Sequence, residues 1–331
     1  MISDPPLVSI LMPVKNASEY LRDCLDSILS QTLPNWELVC VDDHSSDSSV
    51  EVLQAYARGE DRFKIFENQG IGILPALKLA LDQARGTFVT RMDADDIMKP
   101  SKLELLMAKL QECDVSIGLV EYFRQDGVLG DGYKKYEQWL NSSSLRGNTY
   151  DEIYKECTIP SPCWMMSRKK LLALGGFEGI EYPEDYDLAF RMYANNLSVG
   201  VVPEVLHLWR DHKARTSRTD ANYADNRFLD LKLNRLLELD FKDGDLVLWG
   251  AGRKGKDIAV ALNKRRIPFA WISGNKKKIG HSIYEQLVLD ERTFNFSADS
   301  NVIVAIAGSQ LEEVKKRVAQ RSMAGHYFYF A

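Results

Sequence analysis

Four short apolar runs in the first 92 residues constrain this chain more than any other feature. They are Leu7–Met12, Glu37–Val41, Phe63–Phe66 and Thr87–Met92, and each reads as a buried strand. Between the first two, Leu21, Leu25, Ile28 and Leu29 fall on one helical face; before the fourth, Leu74–Ala84 predicts a helix closed by Gly86. Parallel strands need helical crossovers, so this rhythm specifies a mostly parallel α/β sheet covered by helices. Ligands in such sheets sit at the carboxyl ends of the strands. Two acidic clusters, Asp42–Asp43 and Asp93–Asp96, fall on that edge.

Beyond a helix around 101–111 the pattern loosens. DVSIGLVEYF is strand-like, GVLGDGY a turn, and Tyr136–Ser143 amphipathic with Trp139 expected at the surface. PSPCWMMS, a GGF turn at 175–177 and a helix opening on PEDYDLAFRM follow. A long helix, Asn222–Leu239, leads to DFKDGD (240–245), which reads as a linker before the strand LVLWG. At 331 residues the chain exceeds the usual single domain, so we expect two, 1–240 and 241–331. No apolar run approaches the roughly 18 residues that span a bilayer. MISDPPLVSI lacks the basic and apolar regions of a signal peptide. Five cysteines without a CxxC pair fit reduced thiols, and together these features predict a cytoplasmic protein. Residues 251–331 carry 14 Lys and Arg against 7 Asp and Glu, a net of +7, whereas 1–250 carry 28 against 40, a net of −12. The basic part suits a polyanion or is simply a solvated face.

RMDADDIMKP (91–100) sets Asp93, Asp95 and Asp96 directly after an apolar run. Carboxylates this close repel by roughly 1 kcal/mol at 4 Å in water and more when partly desolvated. Successive strand residues point to opposite sides, so Asp93 and Asp95 project the same way. Such a pair is a natural ligand set for a hard divalent cation, which also needs phosphate oxygens. An EF-hand loop is disfavoured because Met98 stands where Gly is required. For a lone DxD, a capping turn before Pro100 is the stronger reading than a metal site. PVKN (13–16) and VDDHSSD (41–47) offer an acidic acceptor for a base N–H beside free backbone amides, or an ordinary loop and helix cap. In PEDYDL (183–188), Glu184 and Asp185 open a helix, whose dipole and amides are expected to keep a carboxylate ionised. That suits a general base, though plain first-turn acids look the same.

In order, VSILMPVKN, VDDHSSD, GxxPALKLAL, RMDADD, GGFEG, PEDYDLAFRM and WRDH (209–212) resemble family 2 glycosyltransferases of the GT-A fold, over about residues 5–235. The resemblance implies a GT-A mixed sheet flanked by helices and transfer of a sugar from a nucleotide-diphosphate donor. It implies a nucleotide-sugar pocket of Pro13, Lys15, Asn16, Asp43, Lys78, Asp93 and Glu184, with Asp43 reading the base. Asp95 would ligate a Mn²⁺ or Mg²⁺ ion with Asp93 and His212, Asp96 being the less favoured ligand, and Asp185 would be the catalytic base. The family often has Tyr where Lys15 stands and Asn where Lys78 stands, so the donor contacts differ in detail. One base and one displacement at the anomeric carbon give inversion.

LVLWGAGRKGKDIAVAL (246–262) holds Gly250, Gly252 and Gly255 between strand and helix, a dinucleotide-binding context that raises an NAD(P)-dependent oxidoreductase as an alternative. The region is short, and its next strand ends in Ser273 and Gly274 where an acidic ribose ligand belongs. We therefore expect a small Rossmann-like α/β domain without a redox cofactor. YEQWL, PSPCWMMS, PED, WGAGRKGKDI and WISGNKKKIG together resemble the enzymes that galactosylate queuosine in tRNA. That resemblance implies UDP-galactose as donor and tRNA as acceptor, with Arg253, Lys254, Lys256, Lys276, Lys277 and Lys278 as phosphate contacts. A cell-envelope polysaccharide or lipid-linked saccharide is the competing acceptor.

Overall fold

The computed structural model of the chain describes residues 6–179, 182–213, 215, 228–320 and 325–331. It divides into two compact units: Met1–Asp151 with Cys157–Ala224, and Glu152–Glu156 with Asp225–Ala331. The second therefore takes in residues 225–240, which the sequence reading set with the first domain. Among the described residues, no helix is long and apolar enough to cross a membrane.

Unit one opens with β1 (Val8–Val14), α1 (Leu21–Leu29), β2 (Trp36–Asp42), α2 (Ser49–Ala57), β3 (Phe63–Glu67), α3 (Ile73–Gln83) and β4 (Phe88–Arg91). It continues with β5 (Ile97–Met98), α4 (Lys102–Lys109), β6 (Val115–Phe123), α5 (Asp131–Leu145), β7 (Trp164–Ser167), α6 (Arg168–Ala173), α7 (Glu184–Ala194) and β8 (Val199–Arg210). These strands form one sheet in the order β3-β2-β1-β4-β7-β6-β8-β5. The first four are mutually parallel, as the alternating pattern requires. The sheet turns mixed at β7, antiparallel to both β4 and β6, and at β5, antiparallel to β8.

β2 is buried along its whole length, as a strand covered on both faces must be. α1 buries Leu21, Cys24, Leu25 and Ile28, a stripe at i, i+3, i+4, i+7. Gly86 is required on the way into β4: a Cβ there would stand 2.5 Å from the Ser9 amide nitrogen. α5 is longer than its amphipathic centre suggested, and Trp139 is half-buried against the core instead of exposed. The reason is local pairing with β6: Asn141 bonds both backbone groups of Val120, and Glu137 accepts the Tyr122 amide at 2.6 Å.

Unit two contains α8 (Phe228–Arg235), a π-helical turn Leu236–Asp240, β9 (Leu246–Trp249), α9 (Arg253–Lys264), β10 (Ala270–Ser273), β11 (Ser282–Ile283), β12 (Gln286–Asp290), β13 (Asn301–Val304), α10 (Ser309–Gln320) and β14 (His326–Tyr329). Its sheet runs β11-β12-β10-β9-β13-β14, parallel except for β11. Of the helix expected at Asn222–Leu239, residues 222–227 lie outside the described residues. DFKDGD is no free linker. The side chain of Asn301 bonds both the amide and the carbonyl of Lys242, and Gly244 (φ +148°) packs on the backbone of Asp299.

Candidate active site

Register places the first part of the site. β1 pairs with β2 so that Val14 faces Asp42 and Pro13 faces Val41, and Lys15 and Asp43 leave the sheet side by side. Lys15 Nζ donates to Asp43 Oδ2 at 2.9 Å, while Asp43 Oδ1 accepts from Asn68 Nδ2 at 2.6 Å and the Gly72 amide at 2.9 Å. Burial alone would raise the Asp43 carboxyl, but these donors hold it below its ordinary value. Asn16, in the left-handed region at φ +49°, ties the two loops together. Its amide donates to Ser45 Oγ and its Oδ1 accepts the Ser46 amide. Asn68 and Gly72 were not identified from sequence, since nothing local marks a residue 25 positions away as a partner of Asp43.

The acidic turn departs from the strand geometry expected of it. β4 ends at Arg91, and the Asp96 amide bonds back to the Asp93 carbonyl, so the two-residue alternation does not reach Asp93 and Asp95. Instead of sharing one direction, the three carboxylates take three sets of partners. Asp93 Oδ1 accepts from Arg91 at 3.1 Å. Asp95 Oδ2 accepts from His212 Nε2 at 2.8 Å. Asp96 accepts the Arg210 amide on one oxygen and His207 Nε2 on the other, at 2.8 and 2.9 Å. Arg210 Nε also donates to the Asp95 carbonyl at 2.7 Å. Pairing of Ile97 with Leu208 and Met98 with His207 pins this turn to β8, the strand that carries Arg210 and leads to His212.

Behind Asp96 lies a buried row of ionisable groups. Lys102 Nζ bonds His207 Nδ1 at 3.0 Å and the Pro162 carbonyl at 2.5 Å, and Lys102, His207 and Asp96 are all buried. Burial lowers the Lys102 and His207 values and raises Asp96, which is the direction of neutrality for each. Asp95 differs. Burial would raise it, but the His212 hydrogen bond and the nearby Arg215 guanidinium keep it below its ordinary value. Asp93 is raised by burial and by Asp95, against the pull of Arg91.

For Asp185, sequence reasoning gave the wrong sign. Glu184 and Asp185 do open α7, and the Tyr186 amide donates to Asp185 Oδ1 at 2.8 Å. Nevertheless Asp185 is pushed up to about 7, first by burial and then by the Glu184 charge, which outweigh Arg91 and the amide. The helix terminus is the smaller effect here. Glu184 is buried and committed to Arg91, whose Nη1 donates to its Oε1 at 2.9 Å. Arg91, quoted in the acidic motif but given no role from sequence, thus touches both halves of the site. Lys78 pairs with Glu178 at 2.9 Å, and both side chains are exposed.

Among the described residues, no three His, Cys, Asp or Glu side chains already form a metal cage. A small hard cation does not need one, because it is held by one or two carboxylates plus substrate phosphates and water. Asp95 and His212 fit that requirement. His212 Nδ1 is buried with no hydrogen-bond partner among the described residues, and the Asp95 carboxylate favours its charged form.

In unit two, Gly250 has φ +119° and packs on Ala305, and a Cβ on Gly255 would fall 2.0 Å from the Gly250 carbonyl oxygen. A Cβ on Gly252 would meet nothing. Past the end of β10, Gly274 lies against the carboxylate of Glu291, just past β12. That carboxylate is already bonded by Trp249 Nε1 at 2.7 Å and Arg317 at 2.6 Å.

The sequence profile of glycosyl transferase family 2 matches residues 9–175. Glycosyltransferase GlyA of Streptococcus pneumoniae serotype 4 is 29% identical over 220 residues, which are 64% of this chain and 31% of GlyA, so the chain spans less than a third of that relative. The putative teichuronic acid biosynthesis glycosyltransferase TuaG of Bacillus subtilis is 32% identical over 170 residues, 50% of this chain and 64% of TuaG. Among solved structures, S. aureus TarS 1–349 in complex with UDP-GlcNAc aligns with a TM-score of 0.55 at 19% identity, covering 72% of this chain and 68% of that one. The GT-A mixed sheet flanked by helices, expected from the sequence, is the fold observed.

Proposed function

The chain belongs to glycosyl transferase family 2, and from that premise we propose that it is a metal-dependent inverting hexosyltransferase that uses a UDP-sugar and an acceptor hydroxyl. One observation carries the reading. A donor-side group of Asp43 with Lys15, a cation-ready pair of Asp95 with His212, and Asp185 raised to about 7 belong to one unit, with the first two at the carboxyl edge of its sheet.

Each residue then has a task. Asp43 accepts a base N–H, while Lys15 and Asn16 shape the loop that holds the nucleoside, with Pro13 beneath it. Asp95 and His212, with Asp93 beside them, face the diphosphate. When bound there, a Mn²⁺ or Mg²⁺ ion supplies Lewis-acid neutralisation of the leaving diphosphate. Asp185 Oδ takes the proton of the acceptor hydroxyl as that oxygen attacks the anomeric carbon from the face opposite the leaving group. A carboxylate poised near neutral pH is suited to that transfer.

For the acceptor we favour a cell-envelope saccharide, on the similarity to TuaG. Transfer of galactose to queuosine in tRNA is a second reading, favoured by the exposed basic residues Arg253, Lys276 and Lys277 of the small α/β unit, which we take to be Rossmann-like. The test is Mn²⁺-dependent release of UDP from a panel of UDP-hexoses, lost in Asp95→Ala and Asp185→Ala. Full turnover in both variants overturns the assignment. A hexose-sized mass gain on queuosine-bearing tRNA, with none on saccharide acceptors, selects the second reading.

A further inference from the structure

Arg91 belongs to neither half of the reaction just proposed, yet it is the side chain that joins them. It is the last residue of β4, its side chain is 7% exposed, and it bridges two carboxylates. One edge of the guanidinium meets Asp93 Oδ1 at 3.1 Å and the other meets Glu184 Oε1 at 2.9 Å. Those carboxylates come from the acidic turn after β4 and from the first turn of α7, 91 positions apart. Glu184 immediately precedes Asp185, so whatever fixes Glu184 fixes the entry of the base-bearing helix. A planar fork with donors on two edges spans two such acceptors, which a single ammonium does not.

Resting on the proposed transferase reading, we propose that Arg91 is a positioning residue that sets Asp185 relative to the donor-side carboxylates. The turnover step depends on it, while capture of the nucleotide does not. The nucleotide-facing pair, Lys15 and Asp43, draws its hydrogen bonds from Asn68 and Gly72 and none from Arg91. A displacement of Asp185 by about 1 Å is enough to cost on the order of 100-fold in rate. Loss of Arg91 leaves the buried Glu184 carboxylate and the half-buried Asp93 carboxylate without their shared cation, and the helix entry moves to relieve the uncompensated charge.

The experiment compares the full-length protein with Arg91→Met, Arg91→Lys, Glu184→Gln and the Arg91→Met/Glu184→Gln pair. Turnover is read as UDP release from a UDP-hexose with Mn²⁺, nucleotide affinity by calorimetry with UDP, and folding by thermal melting. We expect Arg91→Met to lose about 100-fold in kcat with the UDP Kd changed by less than threefold. Arg91→Lys, which keeps the charge but not the two-edged fork, is expected to recover less than a tenth of kcat. The paired variant is expected to be no worse than either single one, because the residues act as a unit. Wild-type kcat in Arg91→Lys, or equal losses in kcat and UDP affinity in Arg91→Met, overturns the inference. If Arg91→Met does not fold, Arg91→Lys decides alone. Absence of turnover by the wild-type protein on every UDP-hexose indicts the transferase reading instead, so the two failures are distinguishable.

Discussion

The carboxyl of Asp185 makes the most exacting prediction, because its environment ties activity and stability to the same proton. Its value rises from 3.8 to about 7. As a base it must be ionised, so with that value turnover falls about tenfold from pH 8 to pH 6, where about one carboxyl in eleven is charged. An unperturbed aspartate would show no loss over that range. The stability sign is the opposite. Between pH 4 and 7 the native state binds this proton and the unfolded chain does not, so stability falls as pH rises through the window. The full difference corresponds to about 4 kcal/mol as a ceiling, and partial solvent access at the carboxyl brings the expectation to about 2 kcal/mol. Asp185→Asn removes the titrating charge. We expect it to abolish turnover by a factor of about 10² to 10⁴ while raising Tm at pH 8 by about 4–8 °C. At pH 4 the two proteins should melt within a degree of each other, about the resolution of the comparison. Calorimetric melting at pH 4, 6 and 8, beside UDP-release rates over pH 5–9, measures both arms. A Tm difference that does not change with pH, or an acid limb centred near pH 4, refutes the account of burial and Glu184 as the causes.

Other outcomes follow from single contacts. Asp95→Asn and His212→Ala are each expected to weaken Mn²⁺ binding about 10–100-fold by calorimetry, with little change in Tm. Lys15→Met removes the donor on Asp43 Oδ2 and is expected to weaken UDP binding about tenfold, in a series of titrations at fixed Mn²⁺. Lys102→Met leaves the buried His207 Nδ1 and Pro162 carbonyl without their shared donor, and a loss of about 2–4 kcal/mol in urea unfolding is expected. Gly255→Ala puts a methyl 2.0 Å from the Gly250 carbonyl oxygen, so unit two should become protease-sensitive while UDP still binds.

Much of this protein was legible in its residues. The alternation of buried strands with amphipathic helices specified the parallel half of the large sheet, because burial on both faces leaves a continuous apolar run and parallel pairing requires a crossover. The order of motifs from PVKN to WRDH specified the family and brought Asp43, Asp95, Asp185 and His212 forward as candidates. What sequence could not provide was any quantity that depends on neighbours distant along the chain. The direction of the Asp185 shift is set by burial and the Glu184 charge against the pull of Arg91, and a local helix-terminus argument misjudged it. Asp93 and Asp95 were expected to point together, but the strand stops at Arg91 and the turn that follows hands each carboxylate its own partner. Trp139 looked exposed because amphipathicity names an apolar face without naming what covers it. Residue types and their spacing decide which side chains are available for chemistry. Only the packed chain decides which of them share a proton, an ion pair or a low-dielectric wall, because electrostatic energies depend on distances and burial that sequence separation does not encode.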